Sequence, residues 1–116
     1  MTLREFYNKI GSNLDPVLSM MGGSERIVDK FVRKFPNDKS AAQLFESFES
    51  KDYGTAFRMA HTLKGVCLNL GFDKLRESAS ELTEALRDTV DDKAPELLEE
   101  VRRYYDEVIA AIKELD

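Results

Sequence analysis

From Leu97 to Ile112 the apolar residues Leu97, Leu98, Val101, Tyr104, Tyr105, Val108, Ile109 and Ile112 recur three or four positions apart. A helix of about 3.6 residues per turn brings such a set to one side, and a strand scatters it over both faces. The same rhythm runs through the rest of the chain. Leu3, Phe6, Tyr7 and Ile10 predict a short helix over 2–10, stopped at Gly11. Asp15-Pro16 reads as the start of a second short helix, with the aspartate as its cap, proline in the first helical position, and Val17, Leu18 and Met21 as the apolar side. Gly22-Gly23 breaks it. Ser24 is a good N-cap for a helix whose stripe is Ile27, Val28, Phe31, Val32 and Phe35. Pro36-Asn37-Asp38 ends that helix and caps the next, over 39–50, with Leu44, Phe45 and Phe48 on its apolar side. Asp52 caps a helix running to Leu70, and Gly71 supplies the left-handed residue that ends it. Leu75, Ala79, Leu82 and Leu86 mark a further helix from Asp73. Asp91-Asp92 forms the last junction, and the final helix spans 93–115 with Pro95 tolerable in its first turn.

No segment sustains the two-residue alternation of a half-buried strand. We therefore expect an all-α protein: an up-and-down antiparallel four-helix bundle with additional short N-terminal helices. Its 116 residues suffice for one core and fall short of two ordinary domains. The expected organisation is one domain over 1–116, with N-terminal helices in 1–36 and the main bundle in 38–115.

Within this pattern the stretch Ala60–Gly71, AHTLKGVCLNLG, holds the only histidine. With His61 set at zero on a helical wheel, Ala56, Leu63 and Cys67 fall about 200–240° away. His61 accordingly points away from the core. Gly54, Arg58, Gly65 and Leu68 flank it within about 60°, and Phe57 lies within about 40°. Lys64 stands one turn on, edging the same face. An imidazole in water is largely neutral at physiological pH, so one ring nitrogen keeps a lone pair able to attack phosphorus. Phosphoryl transfer asks chiefly for positioning and charge neutralisation, which Lys64 can supply about 5–6 Å along the helix. Glycine in a helix interior costs about 1 kcal/mol relative to alanine, so Gly65 calls for a reason. One is room beside the imidazole for another protein's backbone; the other is close packing of a neighbouring bundle helix. We place Gly65, Leu68, Phe57 and Arg58 in a docking patch, with Phe57 and Leu68 either open or covered by an N-terminal helix. Cys67 lies in the apolar stripe and reads as a small core residue.

His61-Thr62-Leu63-Lys64-Gly65 followed by Leu70-Gly71 resembles the histidine-containing phosphotransfer (HPt) domain of bacterial phosphorelays: a histidine, lysine-glycine three and four residues later, and leucine-glycine about ten residues on. The resemblance covers nearly the whole chain. It implies a helical bundle in which His61 accepts and donates a phosphoryl group on Nε2, Lys64 interacts with that group, and Gly65 lets a response-regulator receiver domain dock. Leu68 departs from the pattern, since a small residue often stands there; its bulk either narrows the range of receivers or strengthens apolar docking. The resemblance also implies response-regulator receivers and a hybrid histidine kinase as partners, and a monomer. No cofactor or metal is expected on this chain, with Mg²⁺ on the receiver alone.

The remaining residues favour no competing chemistry. There is no phosphate-cradling GxxxxGK[ST] loop, no kinase glycine-rich loop and no second histidine or cysteine cluster for zinc. Adjacent carboxylates such as Asp91-Asp92 and Glu99-Glu100 diverge on a helix. We expect a phosphocarrier and not an enzyme in its own right. The net charge is −5, and the whole acidic excess lies in residues 51–116, so neither nucleic acid nor anionic membrane is an expected partner. No run approaches the roughly 18 apolar residues of a membrane span, the N-terminus lacks a secretory apolar region, and the lone cysteine fits a reducing compartment. The expected location is the cytoplasm. An initial methionine and a final helix suggest a complete small protein in preference to a domain of a chemotaxis-type kinase. The alternative function is a non-phosphorylated helical module that binds receivers through the same face.

Overall fold

The computed structural model describes residues 1–116 and is helical throughout, with no strand. Seven α-helices follow in order: α1 (Leu3–Lys9), α2 (Leu14–Met20), α3 (Glu25–Lys34), α4 (Ser40–Glu49), α5 (Tyr53–Leu70), α6 (Asp73–Ala85) and α7 (Ala94–Lys113). A single 3₁₀ turn, Phe35–Asn37, links α3 to α4. Short connections force α4, α5, α6 and α7 to run antiparallel, and each packs on the next. Phe45 closes the ring between α4 and α7, with the Tyr105 ring 6.0 Å away and the Arg102 guanidinium 4.2 Å above it. This is the expected up-and-down bundle with short helices ahead of it.

The caps explain most boundaries. Ser24 Oγ accepts the Ile27 N–H, and the Asp52 carboxylate accepts the Thr55 N–H, each satisfying a donor that has no partner within its helix. Thr2 and Glu5 cap α1 reciprocally. At α2 the expected cap shifts: Asn13, not Asp15, accepts the first-turn N–H, so the helix starts at Leu14 and Pro16 is its third residue. Proline is equally tolerated there, because the N–H it lacks has no acceptor in a first turn. Asp38 does serve α4, accepting the Ser40 N–H, although Lys39 occupies the cap position itself.

Every α-helix sends residues into one apolar core. Phe6, Tyr7, Phe35 and Phe72 form an aromatic cluster in that core, with ring centroids 5.1–6.1 Å apart. The N-terminal helices are thereby fixed to the α5–α6 turn. The Tyr7 hydroxyl donates to the Leu70 carbonyl at 2.6 Å, meeting an acceptor at the end of α5. Ser12 Oγ accepts the Asp73 N–H at the start of α6. Between them Gly71 adopts φ +70°, and a Cβ there would overlap Val17 Cγ2. Gly71 thus ends α5 and also lets α2 press against the turn. One stripe is only half used: Val28, Val32 and Phe35 are buried, whereas Ile27 and Phe31 are exposed. A helix at the end of a bundle meets its neighbours over a narrower arc than its sequence stripe.

Candidate functional site

The face of α5 turned from the core is set by residues that leave no choice of phase. Ala56, Ala60, Leu63, Cys67 and Leu70 are buried, and burial pushes the Cys67 thiol well above its ordinary range. His61 is consequently exposed. Arg58, Gly65 and Leu68 are exposed with it; Phe57 and Lys64 are half-buried at the edge. The six residues expected to form the site therefore share the outer side of one helix. Leu68, 56% exposed, is not covered by an N-terminal helix.

The helix holding this face is well anchored at its first turn. Asp52 also accepts the Thr55 hydroxyl at 2.7 Å, and these two Thr55 contacts hold its carboxyl below the usual carboxylate range. Arg58 donates to Thr55 Oγ1 at 3.0 Å, and the Thr62 hydroxyl donates to the Arg58 carbonyl at 2.9 Å. Neither Arg58 nor Lys64 forms an ion pair. Both cations lie on the outer side of α5 without a carboxylate in ion-pair contact.

Gly65 resolves between its two readings. A Cβ built on it meets no atom within 4 Å, so no bundle helix approaches it. Close packing inside the fold gives no reason for glycine at this position.

Two residues at the edge of the site come from α6 and its C-terminus and were not foreseen. Arg87 lies with its guanidinium 5.3 Å above the Phe57 ring and donates twice to Glu84, at 2.8 and 3.0 Å. Those bonds hold the Glu84 carboxyl below its ordinary range, with smaller contributions from Lys64 and His61 across the helix pair. A negative charge therefore stands within Coulombic reach of both. Glu84 and Arg87 carry only a generic i, i+3 signal in the sequence. Which helix they face depends on the order of the bundle.

Chemically, the face offers a solvent-accessible imidazole, two cations that form no ion pair, and open space at Gly65. The protein-family model described as Hpt domain matches residues 26–111, from α3 into α7. No curated protein and no solved structure matches the chain. A helical bundle of this topology and a family match over most of its length lead to one conclusion: the chain belongs to the Hpt-domain family, which serves histidine phosphotransfer in two-component signalling.

Proposed function

We propose that this protein is a phosphorelay intermediate that carries a phosphoryl group on His61. The donor is a phospho-aspartyl receiver or the receiver of a hybrid histidine kinase, and the acceptor is the receiver domain of a response regulator. The lone pair on His61 Nε2 forms the new P–N bond as the P–O bond to the partner's aspartate breaks. That aspartate leaves as a carboxylate, the Nδ1 proton stays in place, and no water is consumed. Lys64 offsets the phosphoryl charge. Arg58, Phe57 and Leu68 hold the partner, whose acidic pocket supplies Mg²⁺. The chain is then a monomeric carrier whose chemistry is completed by its partner, with no cofactor of its own and no nucleic-acid or membrane ligand. We place it in the cytoplasm; no helix is long and apolar enough to cross a membrane.

The observation that carries this reading is the open space at Gly65, one turn from an exposed histidine on a helix whose phase is fixed by its core. A glycine with no packing duty inside the fold is explained by an approach from outside. The test is phosphate acceptance from hybrid histidine kinases of the same organism and radiolabelled ATP, with His61→Gln in parallel. Acid-labile, alkali-stable label on the wild type and none on the variant is expected. Equal labelling of His61→Gln would move the site elsewhere. Receiver binding without any label would leave the non-phosphorylated interaction module.

A further inference from the structure

Met20 and Phe31 are 62% and 46% exposed, and between α2, α3 and the C-terminal part of α5 runs an open groove of about 520 Å³. Met20 and Phe31 border it on one side, Val66 and Asn69 of α5 on the other. Two charged side chains also line it: Lys34, the last residue of α3, and Asp38, just ahead of α4. Neither forms an ion pair, with the other or with any residue of the chain. Asp38 accepts the N–H and hydroxyl of Ser40 and has no cation against it.

We propose that this groove seats a second copy of the chain, in a twofold-symmetric dimer. A twofold interface joins the same patch of both copies, so the patch has to carry its own complement. Three features supply it. The first is shape. Met20 and Phe31 border the hollow and also project from the surface, so one face offers both the side chains to insert and the space to receive them. Methionine further adapts its shape to what it meets. The second is charge at the rim. A twofold axis through the groove turns Lys34 of each copy toward Asp38 of the other, so two unpaired charges of one chain become two ion pairs of the dimer. The third is the wider field. Residues 25–39 carry five basic and three acidic side chains in a chain of net charge −5. Two copies of one acidic protein repel each other least through such a segment.

The surface required is modest. A standard interface buries about 800 Å² per partner, about an eighth of the 6673 Å² that the chain exposes. A patch of that area is roughly 16 Å in radius. Val66 lines the groove and follows Gly65 directly, so the patch extends over Gly65. A copy seated in the groove closes the approach beside His61. The dimer is then a closed form of the carrier and the monomer its open form. This consequence rests on the proposed function; the dimer itself does not.

Sedimentation velocity of the full chain over about 1–500 µM tests the association. A mass that rises from one chain to two is expected. Phe31→Ser and Lys34→Glu should each raise the dissociation constant about tenfold or more, the latter by setting carboxylates against each other. Val90→Ser, an exposed apolar residue outside the groove, should change nothing. Unchanged thermal melting confirms that these variants fold. A wild type that stays monomeric, or a dimer that Phe31→Ser and Lys34→Glu both leave intact, overturns the proposal. Lys34→Glu/Asp38→Lys restores opposite charges and should recover the dimer; a folded double variant that stays monomeric overturns the exchange of ion pairs. Closure is read from phosphate acceptance per chain, which should fall across the dimerisation range in the wild type and not in Lys34→Glu. Identical profiles overturn the closure. A wild type that dimerises as expected and accepts no phosphate at any concentration overturns the proposed function and leaves the dimer standing.

Discussion

Replacing Gly65 with alanine separates what the fold wants from what a partner wants. Position 65 lies deep inside the 18-residue helix α5, where alanine is favoured over glycine by about 0.8 kcal/mol through backbone entropy alone. No atom lies within 4 Å of the added methyl group, so no packing penalty offsets that gain. The expected change is a stabilisation of about 0.8 kcal/mol. With an m-value of about 1.5 kcal/mol/M, the urea midpoint moves up by roughly 0.5 M. Transfer from a phosphorylated receiver moves the other way. The methyl group stands one turn from His61 and about 40° around the helix, in the path of an approaching backbone. Gly65→Ala should be the more stable protein and the slower acceptor, and Gly65→Met slower still. Equilibrium urea unfolding followed by circular dichroism reads the first quantity, and single-turnover transfer reads the second. A destabilised Gly65→Ala would mean that the glycine has a duty inside the fold. A stabilised variant with unchanged transfer would remove the outside approach as its reason.

At Gly71 the expectation reverses. Gly71→Ala meets both a left-handed backbone and the Val17 methyl group, so a loss of about 2–4 kcal/mol is expected by urea unfolding. Adding Val17→Ala should relieve the clash and leave the backbone part; a fully additive pair would refute the contact. Tyr7→Phe removes the donor to the Leu70 carbonyl and should cost about 1–3 kcal/mol at neutral pH. Burial raises the Tyr7 phenol far above its value of 10.0 in an unfolded chain, so its contribution is complete below pH 10 and is lost as pH rises beyond that. The wild type should therefore lose stability above pH 10 more steeply than Tyr7→Phe, and parallel curves would exclude Tyr7 as the cause. For Lys64→Ala, removal of a cation about 5–6 Å from a phosphoimidazole should slow acceptance or shorten the phosphohistidine half-life about tenfold, with stability within about 0.5 kcal/mol. Unchanged transfer kinetics and half-life would deny Lys64 that role.

Much of this was legible because helical periodicity is a local property. The spacing of Ala56, Leu63 and Cys67 alone fixed which way His61 points, and Gly71 announced the end of α5. Other features depend on neighbours that no local pattern names. The stripe on α3 told which residues share a side, but not that Ile27 and Phe31 would find nothing to cover them. The cap of α2 went to Asn13 because asparagine and aspartate serve equally well, and the pattern separates them by only two positions. Glu84 and Arg87 reach the site edge because α6 lies beside α5, and Tyr7 meets Leu70 across 63 residues of chain. Both are facts of topology. The openness around Gly65 was one of two readings, and only the positions of the other helices decided it.

The clamp that Tyr7 and Ser12 place on the α5–α6 turn has a consequence in time. A seven-residue helix such as α1 is too short to persist alone in water. Its partners Leu70 and Phe72, and Asp73, the partner of Ser12, are made some sixty residues later. The contacts of α4 with α5, α5 with α6 and α6 with α7 are between chain neighbours and close early, whereas the N-terminal segment pays the longest loop closure in the molecule. We expect it to dock last, onto a bundle already formed, and the amide protons of α1 to exchange before those of α5 under native conditions.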